Sequence, residues 1–138
     1  MRTITAAAVF ILALGTFGAS ASEPEANDAR LSEVVRQTEA TYQESGLAGL
    51  IALSETCFSA PRPTLACVEM DIAASQIDAS FATNMGIHRH PYYEPDAFFR
   101  RATPVFVNAG MNMQQANAYL LRTTEFVSHE LAVRAGTL

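Results

Sequence analysis

Residues 57–67, CFSAPRPTLAC, decide the fold because they join two helical patterns through a short turn with a cysteine at each end. Apolar residues recur at helical spacing over 47–58, and the same spacing returns over 64–85. The prolines in the turn end the first helix and stiffen the connection. Cys57 therefore falls near the end of one helix and Cys67 in the first turn of the next. The sequence predicts an antiparallel helical hairpin, closed by a disulfide in an oxidising compartment.

Local signals also set the ends of the N-terminal helices. An apolar stripe at helical spacing begins at Leu31, and either Asn27 or Asp28 is available as its N-cap. Gly46 is the predicted C-terminal stop of this helix, just before the hairpin. The second helix of the hairpin is predicted to close at Gly86, because glycine accepts the left-handed conformation that ends many helices.

The region after the hairpin has a weaker pattern. Asp96 is predicted to cap a short helix over 97–102, and Thr103-Pro104 offers a second helix start. The next three residues, VFV, have the composition of a strand. They have no partner strand elsewhere in the sequence, so a helical turn ending at Gly110 is predicted instead.

A long final helix completes the pattern. Asn112 and Gln115 match the amide version of a capping box, and apolar residues recur at helical spacing from Met113 to Leu131, before Gly136. No internal repeat and no sustained heptad is present. The predicted fold class is all-α: a small bundle of roughly four to six helices with one disulfide-stapled helical hairpin.

The first 21 residues have the pattern of an export signal. One charge, Arg2, precedes an apolar run from Ile4 to Phe17, and the small residues from Ala19 to Ala21 suit the pocket of a signal peptidase. An uncleaved membrane anchor is the alternative, but the strongly apolar part of the run is shorter than the ~20 residues that a spanning helix needs. We therefore predict cleavage near Ala21 and a periplasmic or secreted product without a membrane span.

The remainder after cleavage has the length of one ordinary domain. Residues 22–28 include three acidic residues and a proline and lack large apolar side chains, which predicts a disordered leader. Residues 29–138 are predicted to form a single helical domain that is long enough to bury a core. Its two cysteines are expected to pair structurally, since their spacing is not that of a C-x-x-C redox motif.

Charge restricts the class of partner. The chain has a formal net charge of −5, and all 9 of its basic residues are arginines. Removal of Arg2 with the signal makes the chain more acidic still. Because nucleic-acid binders neutralise phosphates with cations, this balance argues against a nucleic-acid partner and against adsorption to anionic lipid.

The stretch HRHPYYEPD, which begins at His88, is the densest group of candidate functional side chains. His88 and His90 are expected to face the same side of an extended chain, because side chains alternate along it. With Glu94 they form a candidate ligand set for a divalent metal such as zinc, which Asp96 or the distant His129 would complete. A metal-binding protein or a hydrolase centred on this loop is one alternative, and a rigid structural loop is another.

Aromatic residues and arginines cluster in the same region. Tyrosine and arginine are enriched in the hot spots of protein interfaces, where rings supply contact area and guanidinium groups bind carboxylates. The neighbouring Phe98 and Phe99 are predicted to be core residues of a short helix. The predicted partner-binding residues are Arg89, Tyr92, Tyr93, Arg100 and Arg101.

No intact catalytic motif accompanies these residues in the sequence. His129 and Glu130 resemble the start of a zinc-protease motif, but the second histidine that the motif needs is replaced by Val133. Patterns for a serine nucleophile elbow, a phosphate-binding glycine loop, haem attachment and an EF-hand are also missing. No catalytic residue and no cofactor is therefore predicted.

The sequence favours a non-enzymatic protein-binding module such as an inhibitor, an immunity protein or a chaperone-type factor. Its predicted partner is another envelope or secreted protein. The alternatives are the metal-binding protein or hydrolase centred on His88 and His90, and a structural component of an envelope assembly.

Overall fold

The computed structural model of the chain describes the backbone of residues 23–136 and the side chains of residues 27–136. The predicted signal peptide lies outside the described residues. The elements are α1 (Glu23–Phe58), α2 (Leu65–Met85), a 3-10 turn (Pro91–Tyr93), α3 (Pro95–Asn108) and α4 (Met113–Arg134). Residues 23–136 contain helices and no strand, which confirms the prediction of a small all-α bundle.

The first helix starts earlier than predicted. The helix α1 begins at Glu23 and so includes residues 23–28, which the sequence pattern assigned to a leader before the domain. Pro24 is compatible with this start. Proline lacks a backbone N–H, and the N–H groups in the first turn of a helix have no hydrogen-bond partner within the helix. The helix is also held from outside near its start, where Arg122 of α4 donates a 2.9 Å hydrogen bond to Asp28.

Gly46 interrupts α1 at the predicted position. Its backbone lies at φ 62° and ψ −158°, a conformation that breaks the helical path and that side-chain-bearing residues adopt at a cost. The turn is tight as well, because a Cβ added to Gly49 would lie 2.4 Å from the Cβ of Ser45. The two parts of α1 are thus the separate helices that the sequence pattern predicted.

The disulfide-stapled hairpin is confirmed. Cys57 and Cys67 form a disulfide with their Cα atoms 5.6 Å apart, between the end of α1 and the first turn of α2. Gly86 closes α2 in the left-handed conformation, at φ 65° and ψ 32°. The backbone N–H of this C-cap donates to two carbonyls in the last turn of α2.

The helix α3 differs from its prediction in two ways. It begins at Pro95, with Glu94 in the N-cap position, so that Asp96 lies in the first turn instead of capping it. Pro104 lies inside the helix, and the predicted second start at Thr103-Pro104 is wrong. Buried residues on both sides of Pro104 anchor α3 to the core, which explains why the helix continues through a residue that usually ends one.

The final helix has the predicted start. The side chain of Asn112 accepts a 2.9 Å hydrogen bond from the backbone N–H of Gln115, and the side chain of Gln115 accepts one of the same length in return. This pair of bonds is a capping box, and it fixes the angle at which α4 leaves the preceding turn.

The central helix of the bundle is α2, which packs against α1, α3 and α4. Ion pairs Asp28–Arg122 and Glu39–Arg134 join α1 and α4 in the same chain direction, so these two helices run parallel. No helix among the described residues is long and apolar enough to cross a membrane. The main core cluster consists of Val35, Val68, Ile72, Ala73, Ala102, Val105, Phe106 and Val127.

Candidate functional site

Three buried carboxylates on α2 each bind an arginine. Each carboxylate is paired with an arginine from a different part of the fold, because an unpaired charge in the interior is costly. Arg30 comes from α1, Arg89 from the loop before the 3-10 turn and Arg101 from α3. The pairs are Glu69–Arg30, Asp71–Arg101 and Asp78–Arg89.

Asp71 is the centre of a sealed polar cluster. It accepts a 2.6 Å hydrogen bond from Ser54 Oγ and bonds of 3.1 and 2.8 Å from Arg101 Nε and Nη2. The Arg101 guanidinium lies 3.8 Å from the centre of the Tyr92 ring, which it covers as a cation–π contact. Burial raises the pKa of Asp71, against the opposing effects of Ser54 and Arg101. These bonds fasten α3 and the 3-10 turn to the hairpin.

The phenol groups of the 3-10 turn face the same interior. Tyr93 is 1% exposed, and its ring meets the ring of Tyr92 edge to face at 5.1 Å. Burial raises the pKa of both phenols. Neither hydroxyl has a hydrogen-bond partner among residues 27–136. Both tyrosines therefore serve packing more than surface recognition.

The partner-binding patch predicted from the sequence is consequently not a surface patch. Tyr93 is buried, Arg101 is 17% exposed and paired with Asp71, and Tyr92 lies beneath Arg101. Arg89 is held by α2. Of the predicted set, Arg100 alone is both exposed and without an ion pair within the described part of the chain.

The predicted metal ligands do not assemble either. His90 Nδ1 accepts a 3.2 Å hydrogen bond from the backbone N–H of Tyr92 and so caps the 3-10 turn. Residues 27–136 contain no cluster of three or more histidine, cysteine or acidic side chains that would hold a metal ion. His88 and Glu94 are exposed, and His129 is exposed on α4, far along the chain. The loop is ordered by capping and by Asp78 instead.

An apolar groove between α3 and α4 is the surface that the sequence did not predict. The α3–α4 groove encloses a cavity of about 400 Å³. Phe99 is 49% exposed, Val107 67% and Met113 81%, values that are large for side chains of this size. None of its lining residues is charged: Phe99, Thr103, Phe106, Val107, Met111, Asn112, Met113, Ala116, Asn117 and Leu120.

Phe99 also corrects a sequence prediction. Phe98 packs against the main core as predicted, whereas Phe99 is half exposed and lines the groove. Consecutive helical residues differ by about 100° around the axis, so adjacent phenylalanines can share the core only where the buried face of the helix is wide. Periodicity alone does not fix the width of the buried face, and here that face includes Phe98 and leaves Phe99 half exposed.

A second cavity lies on the other side of Phe99 and Leu120, which line both spaces. This Arg89 cavity has a volume of about 310 Å³. Arg89 is its single charged lining residue, and its walls are mainly apolar. The lining residues are Ile72, Ser75, Gln76, Ala79, Arg89, Tyr93, Pro95, Phe98, Phe99, Leu120 and Thr124.

Comparison with protein-family models, with curated proteins and with solved structures gives no match to this chain. The features of the chain that bear on its function are the two cavities, the exposed side chains around them and the sequence signals for export.

Proposed function

We propose that the mature chain is a non-enzymatic protein-binding module of the cell envelope or the extracellular space. The α3–α4 groove is its binding surface, and the occupant is an amphipathic helix of another exported protein. The observation that carries this proposal is the exposure of Phe99, Val107 and Met113 around an uncharged groove.

The groove suits an apolar helix face. A contiguous apolar surface on a small soluble domain is typical of an interaction site. Helix-in-groove recognition uses such a cleft to take side chains at helical spacing from the partner. Met111 and Met113 add adaptable contact surface, since methionine side chains adjust to the shape of what they meet.

Both walls of the groove are fixed before any partner arrives. Arg101 and the buried Phe106 hold α3 on the bundle, and the capping box of Asn112 and Gln115 fixes the start of α4. A preformed groove avoids part of the entropy cost of ordering on binding. The scaffold is therefore consistent with recognition by a rigid surface.

Charge indicates the polar part of the partner. Arg100 follows the groove residue Phe99 along α3 and is exposed. Within residues 27–136, the other arginines outside the hairpin turn pair with carboxylates: Arg30, Arg36, Arg89, Arg101, Arg122 and Arg134. Arg100 is thus the cation beside the groove that is available to a carboxylate at the edge of the partner's apolar face.

Site-specific crosslinking tests this function. A photoreactive amino acid is placed at position 113 in the groove or at position 85, where Met85 is also exposed and serves as the control. It is activated in cells that produce the protein, and the crosslinked peptides are sequenced. We expect position 113 to capture a segment with helical apolar spacing and an acidic residue, and position 85 not to capture it. A synthetic peptide of that segment should bind the wild-type protein, and Met113→Glu should weaken binding at least tenfold whereas Met85→Glu leaves it unchanged.

Other captures would contradict the proposal. Crosslinks from position 113 to a second copy of this chain would identify a self-association surface instead. A captured segment whose synthetic peptide binds Met113→Glu as tightly as the wild type would remove the groove as the binding surface. Arg100→Glu should weaken the peptide with its acidic residue more than the same peptide with glutamine in that place.

A further inference from the structure

We propose that the Arg89 cavity is a second binding site, for a small monocarboxylic acid with an apolar body. It is separate in chemistry from the α3–α4 groove, and the proposal does not depend on protein binding there. Ligand pockets of this kind combine apolar walls with a few polar groups that fix the orientation of the ligand. A volume of about 310 Å³ is at the lower end of such pockets, which restricts the ligand to a small molecule.

Arg89 is the group that would bind the carboxylate. Its Nη2 donates hydrogen bonds of 2.8 Å to the Ser75 carbonyl and 2.6 Å to Ser75 Oγ, and its Nε lies 3.4 Å from Asp78 Oδ2. These contacts hold the guanidinium at the cavity wall. Its Nη1 has no hydrogen-bond partner among residues 27–136, so donors of a fixed cation remain available to a ligand.

Asp78 contacts Arg89 through Nε alone, at 3.4 Å, and leaves Nη1 for a ligand. Asp78 is almost completely buried, and its two oxygens also accept 3.2 Å hydrogen bonds from the backbone N–H of His90. The carboxylate of Asp78 is therefore shared between the loop backbone and Arg89. A carboxylate in the cavity would gain a charge-assisted hydrogen bond, which is stronger than a bond between neutral groups.

The other polar groups of the cavity are mostly occupied. The amide of Gln76 donates to the Thr124 carbonyl at 3.1 Å and accepts from Ser128 Oγ at 2.6 Å. Ser75 Oγ accepts from Arg89. A ligand with many polar groups would find few free partners here, which favours an apolar body with one anionic end. The aromatic walls from Tyr93, Phe98 and Phe99 would cover that body.

Calorimetric titration of the full mature chain tests this site with octanoate and with its uncharged analogue octan-1-ol. We expect octanoate to bind at least tenfold more tightly than octan-1-ol, because the carboxylate forms a charge-assisted bond with Arg89 and the neutral hydroxyl does not. Arg89→Gln should remove this preference. Since that variant also leaves Asp78 without its cation and risks misfolding, Ala79→Phe provides an independent test: it fills the cavity and should abolish binding of both compounds.

Met113→Glu is the matched control for the cavity, because Met113 lines the α3–α4 groove and not the Arg89 cavity. This variant should bind octanoate like the wild type even though it is expected to lose the partner helix. Equal affinities of the wild type for octanoate and octan-1-ol would overturn the proposal. So would octanoate binding that survives Ala79→Phe, or no binding of octanoate at all.

Discussion

Arg100 and Arg101 are consecutive residues of α3 in opposite environments. Arg101 is bound to the buried Asp71 and covers the ring of Tyr92, whereas Arg100 is exposed and unpaired within the described residues. Removing one partner of a buried ion pair leaves the other charge uncompensated. We expect Arg101→Met to lower the free energy of unfolding by about 3 kcal/mol. The matched change Arg100→Met should alter it by less than about 0.5 kcal/mol, as is usual for a surface position.

Urea unfolding followed by circular dichroism measures both variants. Equal effects of the two substitutions would show that the Asp71–Arg101 pair does not stabilise the fold. The comparison also separates stability from recognition, because Arg100 is the arginine assigned to the partner's carboxylate and Arg101 is not.

Asp71 gives a prediction for the dependence of stability on pH. Burial raises the pKa of Asp71 in the folded protein above the ordinary 3.8. At pH values between 3.8 and the raised pKa, Asp71 is therefore protonated more fully in the folded chain than in the unfolded chain. The contribution of Asp71 to stability is therefore largest at low pH and declines as the pH rises above about 3.8 through the raised pKa. Ser54 and Arg101, which face the carboxylate, limit the size of this effect.

Asp71→Asn removes this titration while Asn keeps an oxygen for the bond from Ser54. We expect the free energy of unfolding of the wild type to fall more steeply than that of Asp71→Asn as the pH rises above 3.8. Chemical denaturation at a series of pH values measures the two slopes. Identical slopes would mean that Asp71 titrates alike in the folded and unfolded chain.

The sequence pattern assigned Tyr93 and Arg101 to a binding surface, whereas the structure buries Tyr93 and pairs Arg101 with Asp71. Asp71 and Asp78 lie seven positions apart on α2, on the same face as apolar core residues. Acidic residues within a buried stripe require cations, and this signal was present in the sequence. The packing of the helices determines which arginine pairs with each carboxylate, and the local sequence pattern does not determine that packing.

Helix ends that local chemistry determines were predicted correctly. The capping box of Asn112 and Gln115 and the glycines Gly46 and Gly86 need no tertiary partner to act. The path of α3 through Pro104 was not predicted, because core contacts on both sides override the local preference. The α3–α4 groove depends on the angle between two helices, and periodicity carries no information about that angle.

The hairpin staple offers a prediction for α1 and α2. Cys57 and Cys67 are separated by 10 positions, and closing such a loop contributes about 2.8 kcal/mol in the chain-entropy model. We expect the double variant Cys57→Ser with Cys67→Ser to lose about this amount of stability and to keep its helical spectrum. Dithiothreitol should lower the urea midpoint of the wild type towards that of the variant. A wild-type midpoint unaffected by complete reduction would contradict this role.

The chain combines a net negative charge with an uncharged apolar groove. The chain has a net charge of −5, yet the α3–α4 groove has no charged lining residue, and Arg100, which follows the lining residue Phe99, has no ion pair within residues 27–136. Acidic surface elsewhere disfavours association with other acidic proteins, so the groove is the place where contact is least opposed. A disulfide in a domain of this size is typical of exported proteins, which fits a partner in the same compartment.

Export itself is tested on the intact precursor. Production in a bacterium with its secretion pathway should give a chain that begins at Ser22, with both cysteines protected from alkylation. Because the peptidase pocket accepts only small side chains, Ala21→Arg should block cleavage, and the product should be heavier by the mass of the signal peptide. Ala26→Arg lies beyond the predicted cleavage site and should be processed normally. Intact mass spectrometry after alkylation measures both the cleavage of the signal peptide and the protection of the cysteines. A wild-type chain that keeps its first 21 residues and has two alkylated cysteines would place the protein in a reducing compartment, and an exported partner for the groove would then have to be abandoned.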